Sequence, residues 1–404
     1  MRKLLIILSM TMASCSPQKE RIPDYSPFDD DISFLSQYGE VIVLTDSETR
    51  ARVAVMPSLQ GRVMTSTSGA PDHLSYGWIN RSLFQSGDTS VHMNAFGGEE
   101  RIWLGPEGGQ FSIFFAPDSA FTFENWHTPP LIDLEPFNVV EKGPTSARFD
   151  RTATLVNYSG TRFDLRIERE VKILSASESR EQLHIQDTPD LNMVAYQTAN
   201  KLFNVGGEQW RKSTGLLSIW LLGMFNPSPS LTMVIPYNSG PEDRLGPVVN
   251  ADYFGQVPAD RLKVSDSVIF FKGDGEWRSK IGLNPARAKN VMGSFDALSN
   301  TLTIVTFSLG APDDVYVNSK WEIQKNPYNG DVINAYNDGP PAPGVAPMGP
   351  FYELESSSPA RELNPGEHIE HVQTTYHFQG DDSALDQLSQ QVLGVSLSEI
   401  RDAF

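Results

Sequence analysis

The sequence predicts an all-β protein, a large antiparallel β-sandwich closed by a short C-terminal helix. Three observations carry that reading. The dominant hydrophobic period is two: Arg162-Phe163-Asp164-Leu165-Arg166-Ile167-Glu168 alternates polar and apolar residues, as a half-buried antiparallel strand requires. The 31 glycines and 28 prolines fall mainly between such runs, where closely spaced turns need them. Helical spacing is clear only at the end, where Leu385, Leu388, Val392, Leu393 and Ile400 recur, with Asp382 or Ser383 placed to cap the start. No repeat of fixed period suggests a propeller or a solenoid.

In chain order, residues 1–14 have the plan of a bacterial export signal. Arg2 and Lys3 precede an apolar stretch from Leu4 to Met12 that is too short for a membrane span, which needs roughly 20 apolar residues. The stretch ends in Met12-Ala13-Ser14-Cys15, which is similar to the lipobox of bacterial lipoproteins, with Met12 where leucine is usual. Cys15 is the only cysteine, so the expected lipid would consume the one thiol and leave neither disulfides nor thiolate-bound metals. Ser16, rather than Asp, follows it, which is similar to the outer-membrane sorting pattern. Residues 15–31, with Pro17, Pro23, Pro27 and Asp29-Asp30-Asp31, read as a lipidated N-terminus and flexible tether, and 32–404 as one β-sandwich domain.

Strands are expected at Val41–Leu44, Arg52–Met56, Thr152–Val156, Arg162–Glu168, Leu231–Ile235, Val268–Phe271, Leu302–Phe307 and His371–Phe378, with Asn157-Tyr158-Ser159-Gly160 as a hairpin turn. The formal net charge of −18 repels phosphate backbones and excludes nucleic acid as an expected partner. The membrane, through Cys15, and a carbohydrate remain the expected partners; the oligomeric state is not legible.

Four segments are dense in polar and aromatic residues. Asn94-Ala95-Phe96-Gly97-Gly98-Glu99-Glu100-Arg101-Ile102-Trp103 joins paired glycines to carboxylates, Arg and Trp, the groups that hold sugar hydroxyls and stack on a sugar ring. Trp126-His127-Thr128-Pro129-Pro130 fixes a Trp-His pair by the prolines that follow. Asp331, Asn334, Asn337 and Asp338 could bind hydroxyls or offer oxygen ligands to Ca²⁺, although no EF-hand spacing is present and no cofactor is required. Glu353 and Glu355 share one face of a strand, and two neighbouring carboxylates raise each other's proton affinity, which suits one to general-base work.

The order of these segments resembles the galactose mutarotase-like superfamily from about Gly61 to Phe378. Gly61-Arg62-Val63 and Asn80-Arg81 resemble the early strand and Asn-Arg pair of aldose epimerases, and Phe96-Gly97-Gly98 with Trp103 resembles their His-Gly-Gly segment. Thr198-Ala199-Asn200-Lys201-Leu202-Phe203-Asn204-Val205 resembles the strand carrying the acid histidine. Glu355-Ser356-Ser357-Ser358-Pro359, then Leu363 and Pro365-Gly366-Glu367, resemble the base-glutamate strand and its closing turn. The whole chain is closer still to a group of exported bacterial proteins with this fold.

The polar-aromatic segments contribute Asn94, Glu99, Arg101, Trp126, Asp331 and Asn337 to an expected sugar site, and the resemblance adds Arg62, Asn80, Arg81, Trp103 and Asn200. The resemblance implies Glu355 as base, and Glu353 on the same strand face is the other candidate. Two histidines of the epimerase pattern are replaced, by Phe96 and Asn200, so His127 is the remaining acid to consider. Two function classes follow: an envelope-anchored sugar epimerase or glycoside-cleaving enzyme, or a non-catalytic glycan-binding lipoprotein.

Overall fold

The computed structural model describes residues 26–70, 74–185 and 191–404. The expected signal and lipobox, including Cys15, lie outside these residues. Among the described residues no helix is long and apolar enough to cross a membrane.

Antiparallel strands form three sheets, and the architecture is a β-sandwich. The largest sheet runs, edge to edge, Leu262–Val264, Val268–Lys272, Leu231–Pro236, Val291–Asp296, Thr301–Phe307, His368–Gly380, Leu191–Asn204, Arg162–Ile173, Ser146–Val156 and Asn138–Lys142. A five-stranded sheet runs Ser279–Leu283, Ile333–Asn337, Tyr352–Ser357, Ser218–Phe225 and Arg101–Gly105, and Ile42–Thr45, Arg52–Met56 and Arg62–Thr67 form a third. All eight expected strands are present within a few residues of their expected bounds.

The alternation on Arg162–Ile173 buries Phe163, Leu165, Ile167, Val171 and Ile173. These side chains meet Ile102, Leu104, Ile219 and Leu221 of the five-stranded sheet in one core. A second core joins Ile281, Leu283, Ile333, Ala335, Tyr352 and Leu354 to Met233, Ile235, Ile269, Phe271, Met292 and Val305 of the large sheet. Removing apolar surface from water stabilises by about 25 cal/mol per Å², and these two facing cores are where the sandwich gains it.

The terminal helix is two helices, Asp382–Val392 and Leu397–Arg401, and Asp381 rather than Asp382 or Ser383 caps the first. Gly394 at φ 73° lies in the break between them. Leu385, Leu388, Leu393, Leu397 and Ile400 cover Val234, Phe270, Phe295, Ile304, Tyr376 and Phe378 on the outer face of the large sheet. The span expected as tether lies outside the described residues up to residue 25, and towards its end a helix begins, Phe28–Leu35. Its three aspartates stand in the first turn, where the helix dipole favours negative charge, while Phe28 and Leu35 are buried.

The five-stranded sheet is covered on both sides, and this positions the site. Its apolar face meets the large sheet. Residues opposite one another in register share a face, so its other face carries Lys280, Asn334, Tyr336, Glu353, Glu355, Trp220, Arg101 and Trp103. Long connections lie over that face and bring Trp126 and Trp321 against it.

Candidate functional site

The charged face of the five-stranded sheet is where chemistry can occur. Glu355 is fully buried; its Oε2 accepts from Trp220 Nε1 and Lys280 Nζ, each at 2.9 Å. Two residues along the same strand, Glu353 Oε1 lies 2.9 Å from Arg101 Nη2, an ion-pair contact not aligned as a hydrogen bond. The Lys280 ammonium stands 4.8 Å from the Trp220 ring centre, and the Arg101 guanidinium the same distance from that of Trp103. Trp103 meets Trp220 edge-on at 5.5 Å and Trp126 at 6.5 Å, and Trp126 stacks on Trp321 at 5.9 Å. The half-buried Glu107 accepts from Trp321 Nε1 at 3.3 Å.

The electrostatics of this face favour proton transfer. Burial pushes Glu353 up from 4.5 to about 7; Arg101 opposes the shift and Glu355 adds to it. Burial likewise raises Glu107, with Lys280 opposing. Six buried polar atoms on or against the face have no protein hydrogen-bond partner: Arg101 Nε and Nη1, Trp103 Nε1, Trp126 Nε1, Glu353 Oε1 and Glu355 Oε1. An unpaired buried polar group costs about 1–3 kcal/mol, so these atoms are groups that a partner offering hydrogen bonds would stabilise.

Glu353, Glu355, Arg101, Trp103 and Trp126 are therefore brought together by the fold. Asp331 lies beside them, bonded to Tyr253 at 2.5 Å and Asn250 at 3.2 Å. The remaining residues of the sequence-based site stand elsewhere. Asn337, on the opposite face of its strand, accepts from Gly275 N and donates to Asp274 and the Trp277 carbonyl, bracing a loop. Asn80 caps the helix Arg81–Ser86, and Arg81 pairs with Asp31 and stacks on Phe34 at 4.5 Å. Asn94 is held by Asp133 at 2.7 Å and by the Ser90 carbonyl. Arg62 is buried and donates to the Gly97 carbonyl and to Gln60. Glu99 is buried between the sheets, accepting from Ser66 at 2.9 Å and lying 3.1 Å from His377 Nε2.

Asn200, at the position of the epimerase acid histidine, accepts from Arg169 at 2.6 Å and donates to Thr198 and the His371 carbonyl. It belongs to a closed interior network rather than to the charged face. His127 is exposed, and its ring stands 5.6 Å from that of His92. Trp126 turns inward and His127, one residue on, turns outward, so among the described residues the groups on Glu355 are Lys280 and Trp220, not a histidine. Among the described residues no group of three or more His, Cys, Asp or Glu is arranged to hold a metal ion.

Sequence reasoning missed Lys280, Trp220, Glu107, Tyr253 and Trp321. Trp220 sits in Ser218–Phe225, buried at every position, where no alternation separates the two faces. Lys280 carried a signal, the alternation of Ser279-Lys280-Ile281-Gly282-Leu283, which places it opposite the core.

Residues 26–404 match the model of the "Family of unknown function (DUF6786)", and the chain belongs to that family. No curated protein matches the chain. Among solved structures, the Slr1438 protein of Synechocystis sp. PCC 6803 is similar at 14% identity and a TM-score of 0.47, covering 91% of this chain and 100% of that one. A galactose mutarotase-like protein from Lactobacillus casei ATCC 334 is 10% identical with a TM-score of 0.47, over 84% of this chain and 100% of that one. A galactose mutarotase related enzyme from Lactobacillus acidophilus is 9% identical with a TM-score of 0.45, over 85% and 99%. The chemistry considered below rests on this chain's own residues.

Proposed function

We propose that the chain is a carbohydrate-active protein, with the charged face of the five-stranded sheet as its sugar cleft and Glu353 as a general base. The observation that carries this reading is the cluster of unpartnered polar atoms on Arg101, Trp103, Trp126, Glu353 and Glu355. Sugars offer hydroxyls that both donate and accept, and apolar ring faces that stack on indoles. A carboxylate that titrates near pH 7 can take a hydroxyl proton, and its neighbour Glu355 is paired with Lys280 at 2.9 Å. Interconversion of anomers needs only such a base and a proton donor for the ring oxygen, with no cofactor.

The test is proton-transfer chemistry on defined sugars. Saturation-transfer NMR on D-galactose, D-glucose, N-acetyl-D-glucosamine, lactose and cellobiose should show accelerated anomer exchange with wild type and its loss in Glu353→Gln. One observation favours a second reading, a non-catalytic glycan-binding protein: none of the described histidines contacts Glu353 or Glu355. Calorimetric binding of these sugars with unaltered exchange rates would select it.

The reading extends to an envelope location, in which Cys15 carries the lipid and residues after it tether the domain to the outer membrane. Radiolabelled palmitate incorporated into wild type and absent from Cys15→Ser is the expected outcome. A wild-type chain that is unlabelled and recovered free of membranes would overturn it.

A further inference from the structure

The proposed base has no histidine opposite it, and the charged face holds another proton-bearing group. Tyr253 lies on the connection between the helix Glu242–Leu245 and the strand Leu262–Val264. Its hydroxyl donates to Asp331 Oδ2 at 2.5 Å and accepts from Asn334 Nδ2 at 3.1 Å. Asn334 is the residue directly opposite Glu355 across the strand pair, on the same face. Lys280 Nζ, 2.9 Å from Glu355 Oε2, stands 5.7 Å from the centre of the Tyr253 ring. Lys280 thus spans the gap from the tyrosine ring to Glu355, and Asn334 ties the tyrosine oxygen to the strand position facing Glu355. The backbone is shaped for the arrangement: Gly282 occupies the same row as Asn334 and Glu355, and a Cβ there would overlap Asp331 Oδ2 and Asn334 Nδ2.

We propose that Tyr253 is the proton donor of this cleft and that Asp331 restores its proton. The proposal rests on the reading of the face as a sugar site with an acid–base role. Asn334 fills one lone pair of the Tyr253 oxygen, and Asp331 in its carboxyl form, donating back across the same 2.5 Å contact, fills the other, which frees the tyrosine's own proton for the ring oxygen. In the step, Glu353 takes the proton of the anomeric hydroxyl as C1=O forms. The bond from C1 to the ring oxygen breaks, and that oxygen keeps the electron pair and takes the Tyr253 proton. Asp331 in its carboxyl form then donates to the tyrosine oxygen. Ring closure on the other face of the carbonyl reverses each transfer, so protons balance and no oxidant or reductant is involved. Burial favours the protonated forms of both Tyr253 and Asp331, which keeps the pair loaded.

The test measures anomer exchange on the five sugars named above with wild type, Tyr253→Phe and Asp331→Asn. Tyr253→Phe keeps the ring and should lower kcat about 100-fold or more with KM within about threefold. Asp331→Asn still accepts the tyrosine hydrogen bond and should lower kcat about 10-fold, because it cannot return a proton. Thermal melts matching wild type assign these losses to chemistry; Asp331→Asn keeps the question open to measurement should Tyr253→Phe fold poorly. An active wild type with both variants within threefold of it overturns the donor and leaves the sugar cleft standing. A wild type inert on all five sugars overturns the reading of the cleft and the donor with it.

Discussion

Two buried charge clusters lie on opposite sides of the five-stranded sheet, and they are built differently. Between the sheets, Glu100 Oε1 meets Arg169 Nη2 at 3.0 Å and accepts from Thr198 at 2.6 Å, while its Oε2 accepts from Gln373 at 2.9 Å. Arg169 also donates to Asn200 and to the Gly61 carbonyl, and both charged side chains are fully enclosed. Every charged atom of that pair is used. On the other side, Glu353, Glu355 and Arg101 are nearly as buried, yet each leaves a polar atom unpartnered. The charged atoms of the first pair are all bonded within the protein, whereas the second group leaves hydrogen-bonding capacity unused. Burial of charge alone does not identify a functional site, and unmet hydrogen-bonding capacity, which Arg62 Nε, Glu99 Oε1 and the Tyr196 hydroxyl also show in the interior, distinguishes this face only together with its carboxylate pair and tryptophans.

The largest expected effect tests the closed cluster. Arg169→Ala strands Glu100 in a dry interior and should cost about 3–5 kcal/mol in urea-induced unfolding, the range for breaking a buried pair. A loss below about 1 kcal/mol would mean that the network tolerates a gap, and the contrast would collapse. Glu353→Gln should do the reverse: anomer exchange falls about 100-fold or more, while unfolding free energy at pH 7 does not fall and rises by up to about 1–3 kcal/mol, because the neutral amide escapes the cost of burying a carboxylate.

The same residue gives the contrast a pH signature. The folded-state pKa of Glu353, about 7, lies above its ordinary 4.5, so the native state holds a proton that the unfolded chain has released. Its contribution to stability is complete below 4.5 and is lost as pH rises through 7, a change of about 1–3 kcal/mol. Activity moves oppositely, rising as the base form appears. Unfolding curves between pH 4.5 and 7.5 should show this slope in wild type and a shallower one in Glu353→Gln.

Smaller effects sharpen the map of the open cluster. Trp103→Phe removes one unpartnered indole N–H and keeps an aromatic face. It should weaken sugar binding about three- to tenfold by calorimetry, a single hydrogen bond's worth. His127→Ala should alter neither binding nor exchange, with stability within about 0.5 kcal/mol, as for an exposed side chain making no buried contact. A marked loss of exchange in that variant would return His127 to the chemistry.

Much of the fold was legible because period-two burial is local. Arg162–Ile173 alternates along its whole length, and only Arg169, an inward charge at an apolar position, departs from it. The two glutamates of the site were also legible, since residues two apart on a strand share a face whatever the strand packs against. Asn80, Arg81 and Asn94 were not distinguishable from ligands: a helix cap, an ion pair and a loop brace need the same residue types as a sugar site. Lys280 and Trp220 come from strands far from Glu355 in sequence, and pairing register alone joins them to it.

The sequence by itself determined the β-class of the chain, eight of its eighteen described strands, the acidic composition and the Glu353–Glu355 pair, because each depends on neighbours a few residues apart. Tertiary structure decided which charges meet. It enclosed Asn200 with Arg169 and Glu100, turned His127 to solvent, and set Lys280, Trp220 and Arg101 around the two glutamates. The physical reason is that hydrogen bonding and desolvation depend on distance in space. The same carboxylate is inert structure or a poised base according to which partners the fold supplies and which it withholds.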